Sequence, residues 1–294
     1  MKINIIDNRK HDSSTLYSKW TETYDWYRSV DTFHNRFPEN FNFTYWQKQD
    51  NDISIFITKG IYSVNDISSQ IKIAIPSDLR EFHSPIYQFI ENNIDKFDRV
   101  ITYDERLINL FPDKCFPSPA MKPWIWPLEN QQIYDKTKLC SFITSKKQFI
   151  PGHSFRVEIL NHLQNHFTDK VSCYGEGHNP LPKEDGKLLG LKPYAFSIAM
   201  ENHQSEYYFS EKLLDVILTG CVPIYWGCKN IPKYFNPEGF IFFNSKKELI
   251  DIVNNLSMED YYSKKEAIEE NFHTCQNKYI DNFYYFVNKG TEWL

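Results

Sequence analysis

No stretch of the 294 residues approaches the ~18–20 consecutive apolar side chains that cross a membrane. The opening MKINIIDNRK also lacks the apolar centre of a secretory leader. A soluble, cytoplasmic protein is expected, and in that compartment the glycosylation sequons at Asn42 and Asn255 carry no meaning. Basic residues are not in excess: the formal net charge is -5 and the pI is near 6.0. No basic run exists, so nucleic acid and anionic membrane are poor partners. The six cysteines form no CxxC and no Cys/His ligand set, and reduced, mostly buried thiols are expected. Internal repeats and low-complexity tracts are absent too.

What the chain has is apolar and aromatic material, at 41% and 17%, enough for a substantial core. Short β-rich runs recur in the first half, at Lys2–Ile6, Phe41–Trp46, Ile53–Thr58, Ile71–Ile75 and Arg99–Tyr103. A helix is expected over Ser84–Asp95, with Ile86, Phe89, Ile90 and Ile94 at helical spacing, and another over Ser13–Val30. The segment Cys115–Leu128 holds Pro117, Pro119, Pro123 and Pro127, which bar a regular helix or a central strand. It reads as an interdomain linker, with Trp124 and Trp126 available to pack.

The alternation then restarts: strands at Ser141–Thr144, Val171–Tyr174, Tyr194–Met200, Val222–Trp226 and Phe240–Phe243. Helices are expected over Gly152–Phe167, Ser210–Thr219, Lys246–Leu256 and Glu259–Phe272, and in the aromatic tail Asn277–Leu294. Strands alternating with helices predict an α/β chain of two Rossmann-like domains with parallel sheets facing a central cleft. The expected divisions are 1–125, 126–280 and a C-terminal helix over 281–294 that packs back on the first domain.

Residues 192–240 carry the chemistry. The polar loop Glu201–Lys212 follows a strand, and doubly wound sheets bind ligands at the carboxyl ends of their strands. Its pattern is Tyr194-x-Phe196, Glu201-Asn202, Tyr208-x-Ser210-Glu211-Lys212, then Gly220-x-Val222-Pro223-Ile224-Tyr225-x-Gly227, Asn230, Phe235 and Pro237. This pattern resembles the signature of glycosyltransferase family 10, the α-1,3/1,4-fucosyltransferases. His203, Tyr207 and Ser210 depart from the family's usual Ser, Asp and Thr; Ser210 keeps the hydroxyl.

The resemblance implies the GT-B fold and an inverting transfer of fucose from GDP-fucose to a glycan hydroxyl, with no required cofactor or metal. It implies donor contacts from Tyr208, Glu211 and Lys212, and from Arg156 in PGHSFRVEIL. The residue types agree: fixed cations stabilise charge developing on a departing phosphate. Arg156 offers a two-pronged fork, and Lys212 lies in the first turn of an expected helix. Asn202 either holds the loop or touches the donor. Gly220, Pro223 and Gly227 read as scaffold.

An inverting transfer also needs a carboxylate to take the acceptor's proton. The family supplies a Glu just after a strand; here IKIAIPSDLREFHSP offers Asp78, then Glu81, with His83 further off. Asp50-Asn51-Asp52 matches a metal–diphosphate motif but reads as a polar turn before its strand, and Gly175-Glu176-Gly177 as a plain loop. Two rivals stay open. The departures at His203 and Tyr207 allow another nucleotide sugar, and the missing strand-end Glu allows a binding protein without turnover.

Overall fold

The computed structural model describes residues 2–6, 42–45, 47–49, 51–76, 79–118, 123–125, 128–183 and 185–279. The expected helix over 13–30, Asp50, Asp78, Trp126 and nearly all of the tail after 277 lie outside them. The chain divides into two compact units, the first built on residues 1–118 and the second on 119–282. The division falls inside the proline-rich segment, seven residues before the expected 125/126 boundary.

The first unit holds a six-stranded sheet in the order β2-β1-β3-β4-β5-β6. Its strands are β1 (Lys2–Ile6), β2 (Asn42–Tyr45), β3 (Asn51–Ile57), β4 (Ser69–Ile75), β5 (Arg99–Thr102) and β6 (Cys115–Pro117). All these pairings are parallel. Alternation along the strands splits the core by face. Ile3, Ile53, Ile55, Ile73, Ile75 and Ile101 pack together on one side. Phe56, Ala74 and Val100 join Ile86, Tyr87 and Ile90 of helix α1 (Arg80–Asn92) on the other.

Three expectations are corrected here. Asn51 and Asp52 belong to β3 and do not form a turn; Asn51 is buried, donating to Gln47 O and Ser68 O. Cys115–Pro117 is a strand, because it lies at the sheet edge and Pro117 closes it, where a missing N–H is tolerated. Helix α1 begins at Arg80, four residues early, with a break at His83 (φ -135°, ψ 40°) just before Pro85.

The second unit holds a five-stranded parallel sheet in the order β11-β10-β9-β7-β8. The strands are β7 (Lys138–Ile143), β8 (Val171–Tyr174), β9 (Tyr194–Met200), β10 (Val222–Trp226) and β11 (Ile241–Phe242). Central strand β9 reads YAFSIAM and is buried throughout, as a parallel strand covered on both faces must be. Pro223 sits within β10 opposite Ser197, but pairing with β11 starts only at Ile224. The chain leaves β7, crosses by a helix to β8 and then returns to lay β9 on the other side of β7. The strand order therefore reverses between β7 and β9, the switch point at which such sheets open a ligand crevice.

Helix α2 (Glu105–Leu110) belongs to the first unit. In the second, α3 spans Pro151–His166, α4 Gly186–Leu189, α5 Glu211–Ile217, α6 Lys246–Asn255, α7 Met258–Tyr262 and α8 Lys265–Lys278. The single helix expected over Glu259–Phe272 is two, α7 and α8. Tyr261 is pinned by donating its hydroxyl to Gly220 O at 3.0 Å, and the chain turns at Ser263–Lys264. No described helix is long and apolar enough to cross a membrane.

Candidate functional site

Glu201 is the residue that follows β9, and it is fully buried. Its backbone N–H donates to Trp226 O at 2.9 Å, extending the pairing of β9 with β10. Its carboxylate accepts two hydrogen bonds from one residue: Ser210 N–H at 2.8 Å and Ser210 O–H at 2.5 Å. Ser210 is the N-cap of α5 and its hydroxyl also accepts from Lys212 N–H. One buried carboxylate thus ties the start of the polar loop to its end.

Lys212 reaches back over this cap. Its Nζ lies 3.1 Å from Glu211 Oε1, 3.3 Å from Ser210 Oγ and 3.9 Å from Glu201 Oε2. Burial raises the Glu211 carboxyl, but the Lys212 and Lys187 ammonium groups outweigh it and hold it below the usual carboxylate range. Lys187, on α4, is paired with fully buried Asp215 of α5. Asp215 also accepts from Trp124 N–H at 2.7 Å and Ile125 N–H at 3.0 Å. The Trp124 ring is largely exposed, with Lys187 Nζ 4.8 Å from its centre.

Arg156 enters from α3. The buried stripe Gly152, His153, Arg156, Val157, Leu160 and Leu163 recurs at helical spacing, and Arg156 belongs to it. Its Nη1 donates to Met200 O at 3.4 Å, at the end of β9, while its buried Nε has no hydrogen-bond partner among the described residues. Burial lowers its pKa; Glu201, then Tyr208 and Glu211, oppose that, and a guanidinium stays charged throughout. Gly152 lies against the Asn202 carbonyl so closely that a Cβ there has no room. Beside it, Phe149 N–H donates to His153 Nδ1 and leaves Nε2 to donate to Asn202 Oδ1, both at 3.2 Å. Burial, then Arg156, lowers the His153 pKa and keeps this neutral tautomer.

Of the sequence-derived residues, the structure groups Arg156, Tyr208, Glu211 and Lys212 with Glu201 at the carboxyl end of β9. Tyr208 is buried, its backbone N–H donating to Ser205 Oγ at 3.0 Å. Its hydroxyl pKa is pushed well above 10 by burial and by the Glu201 and Glu211 carboxylates. Asn202 touches His153, and so holds the loop to α3. Glu81, by contrast, is an exposed residue of the first turn of α1, in the other unit. The sequence reading left Glu201 and Lys187 without a role. A signal for Glu201 existed: a lone carboxylate directly after an unbroken apolar strand falls at the ligand edge of such a sheet. Among the described residues no group of three metal-ligating side chains forms.

The second unit is a doubly wound α/β sheet with two cations, Arg156 and Lys212, near the carboxyl end of β9 beside its switch point. The family described as glycosyltransferase family 10 (fucosyltransferase), C-terminal part, matches residues 133–280, and the chain belongs to that family. The α-(1,3)-fucosyltransferase FucT of Helicobacter pylori is 31% identical over 96 residues, which are 32% of this chain and 17% of that protein. An α-(1,4)-fucosyltransferase of Arabidopsis thaliana is 32% identical over 113 residues, 36% of this chain and 28% of that one. The matched stretch is thus under a third of these relatives' lengths. The crystal structure of an α1,3-fucosyltransferase aligns with a TM-score of 0.55 at 18% identity, over 92% of this chain and 81% of that one. The same coverage and identity hold for an α1,3-fucosyltransferase with GDP-fucose, at a TM-score of 0.54. The fold is GT-B, as in these neighbours.

Proposed function

We propose that this protein transfers fucose from GDP-fucose to a hydroxyl of a glycan acceptor, with inversion at the anomeric carbon. The observation that carries the reading is that Arg156 and Lys212 both approach Glu201 and the carboxyl end of β9, on residues of the family signature. Family membership and a GDP-fucose-bound neighbour of the same fold support the choice of donor.

When the sugar–diphosphate bond breaks, the electron pair leaves on the β-phosphate oxygen. Lys212 and Arg156 stabilise that charge, and their partial burial strengthens the effect by excluding water. Tyr208, Glu211 and Asn202 line the same loop, Glu211 as an acceptor for ribose or sugar hydroxyls. The attacking hydroxyl loses its proton to a carboxylate of the first unit, Asp78 or Glu81.

The test is a donor screen on purified protein, with products read by NMR. GDP-fucose should be consumed, and the new linkage should have the anomeric configuration opposite to the donor's. Consumption of a UDP-sugar in its place would transfer the reading to another hexose, the outcome that His203 and Tyr207 leave open. Binding of GDP-fucose with no turnover on a broad glycan panel would make the protein a binder.

A further inference from the structure

Glu201 is a carboxylate buried as fully as the apolar Phe209 of the same loop. A carboxylate taken out of water costs several kcal/mol unless it is paired and hydrogen-bonded, and burial does push this one above the usual carboxylate range, against Lys212 and the Ser210 donors. A chain that needed only to close the loop could do so with a neutral acceptor. Instead both oxygens are directed at a single residue, Ser210. Ser210 in turn accepts from Lys212 twice, from its backbone N–H and from its ammonium, each at 3.3 Å. The ammonium also lies 3.9 Å from Glu201 Oε2. The surroundings are shaped to this carboxylate as well: at Gly227 a Cβ would fall 2.5 Å from Glu201 Cγ and closer still to Tyr225 Oη.

We propose that Glu201 is a positioning residue for nucleotide binding: through Ser210 it sets where the Lys212 ammonium stands when the donor diphosphate arrives. The inference rests on the nucleotide-sugar reading of the site. Glu201 works from beneath the cap, and Lys212 makes the contact. Substituting Gln keeps the side chain's size and one acceptor oxygen but removes the charge and the second acceptor. Ser210 then loses one of its two bonds to this side chain, and Lys212 keeps Glu211 but loses the fixed position of Ser210 and part of its counter-charge.

The experiment is a double-mutant cycle read by calorimetric titration with GDP, on the full chain, using Glu201→Gln, Lys212→Met and the double variant. Glu201→Gln should weaken GDP binding about tenfold, and Lys212→Met by at least as much. In the Lys212→Met background the further loss from Glu201→Gln should shrink to about twofold, the mark of residues acting as one unit. A purely structural Glu201 would give independent losses that multiply, and that result overturns the inference, as does unaltered affinity in Glu201→Gln. Ser210 supplies a second route if Glu201→Gln fails to fold. Ser210→Ala should lose affinity and Ser210→Thr, which retains the hydroxyl, should restore it; equal affinity in the two overturns the inference. If the wild type binds no GDP, the donor reading falls and the inference falls with it. If the wild type binds GDP while losses multiply, the inference alone falls.

Discussion

Lys212 and Gly227 show two different kinds of constraint on single residues. In the proposed transfer Lys212 is one of two cations that meet the departing diphosphate, and losing such a group costs roughly 10²-fold or more in turnover. Lys212→Ala is expected to lower GDP-fucose turnover by about that factor in a coupled GDP-release assay. Gly227 is constrained by space: it backs onto Tyr225 and Glu201, and Tyr225 Oη accepts from Cys228 N–H at 3.0 Å. Gly227→Ala overpacks this point and should lose about 2 kcal/mol in urea unfolding. The two residues also differ in how they can be read. The grouping of Lys212, Glu211 and Tyr208 was legible because they stand in a motif with fixed spacing. Glu201 stood in the same motif, but its role depends on complete burial and on Ser210 nine positions later folding back onto it, and a linear pattern carries neither.

Elements were legible where periodicity and burial agree. Strands β1, β8, β9 and β10 fall at their expected bounds because an apolar run between polar ends has one solution in a parallel sheet. Legibility failed where tertiary contacts decide, as in the split between α7 and α8 around anchored Tyr261. It failed also at the start of α1, which an ion-pair clasp draws forward. Arg80 donates to Asp104 through Nε at 2.7 Å and Nη2 at 2.6 Å, and Asp104 caps α2 by accepting from Leu107 N–H at 2.8 Å. Glu91 bridges Arg80 and Arg106, each at 2.9 Å. Arg80→Ala should cost about 2 kcal/mol, since it strands charged acceptors. The clasp is also pH-dependent. The Arg106 hydrogen bond, opposed by burial and joined by Arg80, lowers the Glu91 pKa. A depressed carboxylate stabilises the fold above its unfolded-state pKa and loses that effect as pH falls through its folded value. The melting temperature of Glu91→Gln should therefore lie below wild type at neutral pH and converge with it in strong acid.

The molecule as a whole is two parallel-sheet units with separate cores, one of them matched by the family's C-terminal model. Only the second unit shows its chemistry plainly in the sequence; the first unit's contribution rests on Asp78 and Glu81. Asp78→Asn and Glu81→Gln should separate them: loss of transfer with donor binding retained identifies the proton acceptor. Nucleotide binding is also measurable on the whole chain. GDP at about 100 times its Kd should stabilise the protein by about 2.7 kcal/mol, visible as a melting shift that UDP does not reproduce. Among the described residues no disulfide joins the cysteines. Burial pushes the Cys115 thiol to about 12 and the Cys173 thiol to about 11, and raises Cys140 and Cys275 as well. Alkylating reagents need thiolate, so buried Cys115, Cys140 and Cys275 react only when their surroundings open, while half-buried Cys173 is slowed by its raised pKa. The protein thereby carries its own distributed clock. The order in which Cys115 of β6, Cys140 of β7, Cys173 of β8 and Cys275 of α8 become alkylated reports, strand by strand, which part of the fold breathes first and whether a nucleotide slows it.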